Sequence, residues 1–105
     1  MELGPRVLLA NGAFILALTP PSDPVQAIPG DCFNENRIGL DRLSLVTNSR
    51  EELDVAQRLF ASQGVSHGEI KDLGPDLGLF VLAFRDPDNI QIELSAAYTE
   101  YSQGR

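Results

Sequence analysis

The residue types that most often bind metals or carry out nucleophilic catalysis are scarce in this sequence. Among its 105 residues, Cys32 is the only cysteine and His67 the only histidine. One cysteine cannot form an intramolecular disulfide or a thiolate metal cage, and one histidine cannot complete a two-histidine zinc motif or a facial triad. The cysteine count suits a reducing compartment, so a cytoplasmic location is expected.

The sequence around these two residues favours structural over catalytic roles. Cys32 lies in an acidic stretch with no Lys or His beside it, so an inert thiol is favoured over an activated thiolate. His67 has only Glu69 as a nearby carboxylate, and a surface or loop histidine is favoured over a general base. Residues 86–89 (DPDN) resemble an acidic metal loop, but proline at the second turn position explains them as a tight turn.

Four polar side chains on two predicted strands are better placed to contact a ligand. Residues 40–47 (LDRLSLVT) and 90–95 (IQIELS) both alternate apolar and polar side chains. This alternation predicts half-buried strands, whose polar faces look onto solvent or into a pocket. The polar positions are Arg42, Ser44, Gln91 and Glu93.

A helix is predicted between these two strands. Ser49 and Glu52 match a capping box, in which the Ser49 hydroxyl accepts from the amide of residue 52 and Glu52 accepts from the amide of residue 49. Gly64 supplies a left-handed stop, which predicts a helix of about 14 residues. The apolar stripe expected to face a sheet comprises Leu53, Ala56, Leu59 and Phe60.

The apolar residues 6–19 (RVLLANGAFILALT) allow two interpretations. A signal peptide is disfavoured because Glu2 precedes Arg6, Asn11-Gly12 interrupts the apolar run and the following prolines make a poor cleavage site. An Asn-Gly pair between two apolar runs favours a type I′ hairpin of strands 6–10 and 13–19. No stretch reaches the roughly 18 apolar residues that cross a bilayer, so no membrane association is expected.

The remaining segments complete a coarse architecture. Residues 20–37 are predicted as an irregular connection, 65–71 as a short extended piece, 79–85 (LFVLAFR) as a strong strand and 98–105 as a frayed polar tail. Residues 39–95 therefore predict a strand, a helix and three further strands.

The length and composition of the chain are typical of one small globular domain. The chain is 43% hydrophobic, and 8 Lys+Arg against 15 Asp+Glu give a net charge of -7. A negative charge with scattered basic residues opposes binding to the phosphate backbone, so no DNA or RNA partner is expected.

Three segments resemble motifs of the vicinal oxygen chelate superfamily, which includes glyoxalase I, bleomycin-resistance proteins and extradiol dioxygenases. They are residues 39–43 (GLDRL), 49–53 (SREEL) and 84–94 (FRDPDNIQIEL). The resemblance covers about 38–95 well, as a complete second βαβββ module, and 5–19 loosely, as the last hairpin of an incomplete first module. It implies an α+β fold over residues 1–105, with a curled mixed sheet whose concave face forms part of a cavity.

Two departures from the family pattern bear on metal binding. Family members usually carry a metal-binding histidine at the position of Arg42, and a guanidinium has no lone pair to offer a metal. The opening strand of a first module, which normally carries another ligand, is not present, and Ala17 stands where the second module has Glu93. Glu93 is the one chemically competent ligand position, and the only residue that would be assigned a catalytic role.

The resemblance therefore predicts a protein that has lost metal binding but keeps a small-molecule cavity. We expect the Arg42 guanidinium to take the place of the ion and to pair with Glu93, and Phe80 and Phe84 to contribute to a mixed pocket with Arg42, Ser44, Gln91 and Glu93. Two alternatives stay open. One is a non-catalytic, metal-free ligand-binding or dimerisation module; the other is a lyase or dioxygenase whose Ni, Zn or Fe is held by ligands shared between chains.

The incomplete first module predicts self-association. Without its opening strand and helix, sheet edges and apolar side chains around Val7, Leu9, Phe14 and Leu16 are expected to be uncovered. We therefore expect a homodimer. A start within a longer reading frame would explain the same feature.

Overall fold

The computed structural model describes residues 7–10 and 12–98, which form two compact units divided between Asp31 and Cys32. The first unit contains β1 (Val7–Ala10), β2 (Ile15–Leu18) and a 3-10 helix (Pro24–Gln26). The second contains β3 (Arg42–Val46), α1 (Arg50–Gln63), β4 (Lys71–Asp72), β5 (Leu79–Arg85) and β6 (Gln91–Ala97). The predicted α+β class is confirmed as a β-hairpin followed by a βαβββ-like module.

The first unit is an antiparallel hairpin, as predicted. Val7 lies opposite Leu18 and Ala10 opposite Ile15, whereas a two-residue turn at residues 11–12 would place Ala10 opposite Ala13. Gly12 has φ of 91°, in the left-handed region that favours glycine, whereas Asn11 is outside the described residues. The predicted position of the turn is wrong, because the strand register shifts the partner of Ala10 by two residues, from Ala13 to Ile15.

The hairpin leaves apolar side chains uncovered within the chain. Val7, Leu9 and Phe14 are exposed, as predicted, and Leu16 is half-buried. Two short strands have too little surface to bury both of their faces against each other.

The second unit contains a mixed four-stranded sheet in the order β3-β6-β5-β4. β3 is parallel to β6, and the other neighbouring strands are antiparallel. The strands predicted over 40–47, 79–85 and 90–95 are confirmed, with β6 running on to Ala97. The sheet is not curled as the resemblance implied; β4, at one edge, has only two residues with which to continue a curve.

Helix α1 begins at Arg50 and has the predicted 14 residues, ending at Gly64 with φ of 71°. The capping box differs from the prediction. Ser49 is extended and makes no side-chain cap bond, and the Glu52 carboxylate accepts from the amide of Asn48 at 2.6 Å. Glu52 thus reaches back one residue further than expected. No helix among the described residues is long and apolar enough to span a membrane.

The core lies between α1 and one face of β5 and β6. Leu53, Leu82 and Ala96 are fully buried there, and Ala56 and Phe60 pack against them. Leu59, predicted on the same stripe, is 54% exposed. Six residues turn a helix by about 600°, so Leu59 lies about 120° around the axis from Leu53 and misses the sheet.

Residues 86–89, between β5 and β6, form a tight turn, as predicted. The amide of Asn89 donates to the Asp86 carbonyl at 2.9 Å, and Asp86 Oδ1 accepts from the amides of Asp88 and Ile90 at 2.9 and 2.8 Å. The Asp86 carboxylate is thereby used by the turn itself.

Tyr98, the residue that follows β6, packs against the second unit. The predicted frayed tail is wrong at Tyr98, whose amide donates to the Gly78 carbonyl at 2.9 Å and whose ring packs on Phe80. Residues 99–105 lie outside the described residues.

Candidate functional site

The four polar positions predicted from alternation share the sheet face opposite α1. In the β3–β6 ladder Arg42 lies opposite Gln91 and Ser44 opposite Glu93, and in the β5–β6 ladder Ala83 lies opposite Glu93. Directly paired residues point to the same side of a sheet, and neighbours along a strand alternate. Because Leu82 and Ala96 face α1, their strand neighbours lie on the other side.

Arg42 and Glu93 form the predicted ion pair. Arg42 Nη1 donates to Glu93 Oε2 at 3.0 Å, and Arg42 Nε donates to Asp41 Oδ2 at 2.8 Å. The Arg42 side chain is 51% exposed and that of Glu93 only 14%. The hydrogen bond to Asp41, followed by the one to Glu93, raises the pKa of the guanidinium. Two of its five N–H groups are used in these bonds, so it stays charged and can donate to a ligand.

A cavity of about 330 Å³ opens beside this ion pair. Its polar lining includes three of the four predicted residues, and its apolar lining comes from β5 and the loop after β4. The lining residues are Arg42, Gly68, Glu69, Lys71, Leu73, Val81, Ala83, Gln91 and Glu93.

Ser44, the fourth predicted position, lies on the same sheet face but outside the cavity lining. Its hydroxyl is 2.5 Å from the Ser95 hydroxyl, and Ser95 is buried. The Ser44 hydroxyl is thus engaged in a contact between β3 and β6.

The two phenylalanines expected in this pocket lie on the other side of the sheet. Phe84 packs on Phe60 of α1 with ring centroids 4.4 Å apart, and Phe80 packs against the core beneath the helix. The prediction is wrong because Phe80 and Phe84 alternate with Val81 and Ala83, and only the latter pair faces the cavity.

The prediction from sequence missed Glu69 and Lys71 as cavity residues. Together with Leu73 they are the alternate residues around β4 that line the cavity, whereas Ile70, between Glu69 and Lys71, packs against the core on the other side. Lys71 lies opposite Val81 in the β4–β5 ladder. The same alternation that identified Arg42 and Glu93 was available here, but β4 has only two residues and its pattern is correspondingly short.

The donor set at this site does not fit a divalent metal ion. Glu69 and Glu93 are the two carboxylates in the cavity lining, fewer than the ligands a divalent ion needs, and a cationic guanidinium already contacts Glu93. No group of three or more His, Cys, Asp or Glu residues that could hold a metal is found within residues 7–10 and 12–98.

His67 and Cys32 lie elsewhere in the second unit. His67 is half-buried, with Nδ1 at 2.8 Å from the Val65 carbonyl and its ring near that of Phe60. Cys32 is exposed and not in a disulfide. Neither residue lines the cavity beside Arg42.

A larger cavity, of about 590 Å³, lies at the end of α1 on the helix side of the sheet. Phe60, Phe84 and Pro87 contribute to its lining, together with Arg85 and Asp86. The Arg85 guanidinium is bonded to Glu35 and to the Asn89 carbonyl, and Asp86 holds the turn. The charged groups of this larger cavity are thus already bonded within the protein, so it is a weaker candidate for ligand binding than the cavity beside Arg42.

Comparison with known proteins identifies the relatives of this chain. No family model and no curated protein matches the sequence. A glyoxylase/bleomycin resistance protein/dioxygenase domain from Frankia sp. EAN1pec is 39% identical, with a TM-score of 0.58, over 64% of this chain and 50% of that one. The chain thus spans about half the length of the Frankia domain.

Two other solved structures share the fold at lower identity. A protein provisionally named a glyoxalase, from Bacillus halodurans, is 23% identical with a TM-score of 0.65, over 83% of this chain and 65% of that one. The lactoylglutathione lyase from Agrobacterium tumefaciens is 18% identical with a TM-score of 0.60, over 91% of this chain and 71% of that one. The resemblance inferred from the sequence is confirmed: the structural neighbours of this chain are proteins of the glyoxalase/bleomycin resistance/dioxygenase superfamily, matched over part of its length.

Proposed function

We propose that this chain binds a small molecule in the cavity beside Arg42 and Glu93, and that it does so without a metal ion. The observation that carries the proposal is the 3.0 Å bond between Arg42 Nη1 and Glu93 Oε2 at the side of that cavity. In the superfamily pattern these two positions hold a metal. Here a permanent organic cation contacts the carboxylate instead.

The lining of the cavity supports ligand binding. Leu73, Val81 and Ala83 supply apolar contact, and Arg42 and Gln91 supply directional hydrogen-bonding groups. A volume of about 330 Å³ lies at the lower end of the range for small-molecule sites, and a mainly apolar wall with a few polar groups is typical of them.

Arg42 can take over one task that a metal ion performs in relatives. A guanidinium with unused N–H groups attracts and orients an oxyanion, although it cannot polarise a bond as a Lewis acid does. Binding without metal-dependent chemistry is therefore the function that the residues support best. A lyase or dioxygenase activity would need metal ligands from a second chain.

Metal analysis and ligand-observed NMR on the purified full chain test this proposal. We expect less than stoichiometric Ni, Zn or Fe, and fragment hits that are lost in Arg42→Met and Glu93→Gln but retained in Arg58→Met, an exposed helix control. One metal ion per chain that is lost in Glu93→Gln would instead favour the enzyme with shared ligands. Hits that survive both cavity substitutions would place the binding site elsewhere.

We also propose that the protein is a homodimer in which a second copy covers the exposed hairpin. Val7, Leu9 and Ile15 are exposed in the described structure, and apolar side chains on a short hairpin favour pairing with another chain. Light scattering at micromolar concentration should give twice the chain mass, and Leu9→Lys with Ile15→Lys should give a monomer. A wild-type monomer under these conditions would overturn the proposal.

A further inference from the structure

We infer that the ligand of the Arg42 cavity is a small zwitterion, carrying one ammonium and one carboxylate group separated by a short apolar chain. The inference rests on the proposed binding function and adds the chemical class of the ligand. The inference comes from the charged side chains that line the cavity. Positive and negative side chains are equal in number, but only one positive and one negative side chain are bonded to each other.

Four ionisable side chains line the cavity, two of each sign. Arg42 and Glu93 are bonded to each other. Glu69 and Lys71 are exposed, and no ion pair to either is found among the described residues. One carboxylate and one ammonium are therefore available to a ligand, in addition to the unused N–H groups of Arg42.

The spacing of these groups favours one ligand that reaches both. Lys71 begins β4, Glu69 lies two residues before it, and both line the cavity. Such positions are separated by about 6–7 Å along a strand. A few methylene groups place an ammonium and a carboxylate at a similar distance, and Leu73, Val81 and Ala83 offer apolar contact for those methylenes.

A ligand with a single charge fits less well. An anion drawn to Arg42 meets the carboxylates of Asp41 and Glu93, which already hold the guanidinium. A cation drawn to Glu69 leaves the Lys71 ammonium unmatched close by. Juxtaposed like charges disfavour binding, so each single-charge ligand loses part of what it gains.

A matched set of three probes tests the inference: 4-aminobutanoate, butanoate and butylamine. They share a four-carbon chain and differ only in which charges they carry. In NMR titrations of the full chain, followed at the amides of residues 68–73 and 91–93, we expect 4-aminobutanoate to bind at least about tenfold more tightly than either single-charge probe.

Two variants assign the charges. Lys71→Met should reduce 4-aminobutanoate to the affinity of butylamine, and Glu69→Gln should reduce it to the affinity of butanoate. Arg58→Met and Glu51→Gln, which remove the same charges from exposed helix positions, should leave the affinity unchanged. All four sites are on the surface, so the fold is expected to survive each substitution.

Three results would overturn the inference. Butanoate binding as tightly as 4-aminobutanoate would define an anion site, and butylamine doing so would define a cation site. If none of the probes shifts these amides while fragments still bind in an Arg42-dependent way, the zwitterion is wrong and the proposed function stands. If fragments fail as well, both are wrong.

Discussion

Leu82 and Ala83 are adjacent in β5, yet their side chains lie on opposite faces of the sheet and in very different surroundings. Leu82 is fully buried with Leu53 of α1, whereas Ala83 lines a cavity with Arg42 and Glu93. One face is closed by a helix, and the other carries charged and polar groups beside an open volume.

The contrast indicates how the module divides stability from binding. Burying apolar surface under α1 lowers the free energy of the folded state in proportion to the area removed from water. A partly exposed ion pair such as Arg42–Glu93 adds little, because water screens it. Substitutions on the two faces should therefore separate into losses of stability and losses of binding.

The largest effect is expected from truncating the helix face. Leu82→Ala should lower the free energy of unfolding by about 2–5 kcal/mol, because it opens a cavity against Leu53. Leu79→Ala removes the same atoms from a half-buried position on the opposite face of β5 and should cost less than half as much. Urea unfolding followed by circular dichroism measures both. Equal losses of unfolding free energy in the two variants would contradict the idea that the helix face carries most of the stability.

The helix that covers this face depends on its left-handed end. Gly64 has φ of 71°, so Gly64→Ala should destabilise the protein by about 1–2 kcal/mol through backbone strain alone, since a Cβ there meets no atom within 4 Å. Gly68→Ala also adds a Cβ in open space, but at a position without positive φ. The control should unfold near the wild-type midpoint, and a comparable loss in it would argue against strain as the cause.

The Arg42–Glu93 pair should show a much smaller effect on stability. A double-mutant cycle with Arg42→Met and Glu93→Gln should give a favourable coupling well below the loss caused by Leu82→Ala, because the Arg42 side chain is half exposed. The same substitutions should abolish binding of cavity ligands. A coupling as large as the Leu82 effect would make the pair a structural element instead.

The smallest effect is expected at the rim of the helix face, where Tyr98 Oη donates to Asp72 Oδ1. This bond, followed by one from the Gly74 amide, holds the pKa of Asp72 below its ordinary value of 3.8. A lowered folded-state pKa stabilises the protein above that ordinary value, and the contribution disappears as the pH falls through the folded-state pKa.

Tyr98→Phe should therefore lose less stability on acidification than the wild type, although it is slightly less stable at neutral pH. The midpoint of urea unfolding measured between about pH 5 and pH 2 checks this. In an Asp72→Asn background, Tyr98→Phe should leave the pH dependence unchanged. A difference that persists in that background would assign the effect to another carboxyl group.

Local patterns predicted most of the elements. Alternation in residues 40–47 and 90–95 and the left-handed stop at Gly64 correspond to β3, β6 and the end of α1. The Arg42–Glu93 pair was also predicted, through its positions in a family motif. The cap of α1 was not, because whether Asn48 or Ser49 donates to Glu52 depends on a backbone angle that residue types leave open.

The composition of the cavity could be predicted only in part. The apolar run of β5 (LFVLAFR) shows no period, so the sequence offered no way to separate Val81 and Ala83 from Phe80 and Phe84. Lys71 begins a strand of only two residues, and its place opposite Val81 arises from strand pairing; Glu69 precedes that strand.

By itself, the sequence determined that this chain has one histidine and one cysteine, that a strand and a helix precede three strands, and that an arginine and a glutamate occupy alternating polar positions on two of those strands. Those properties depend on residue identity and on periods of two and 3.6, which are local. Only the tertiary structure decided which charges share a cavity. Register between strands places Arg42, Lys71 and Glu93 together on one face, and helix packing places the phenylalanines on the other, because both depend on contacts between residues far apart in the chain.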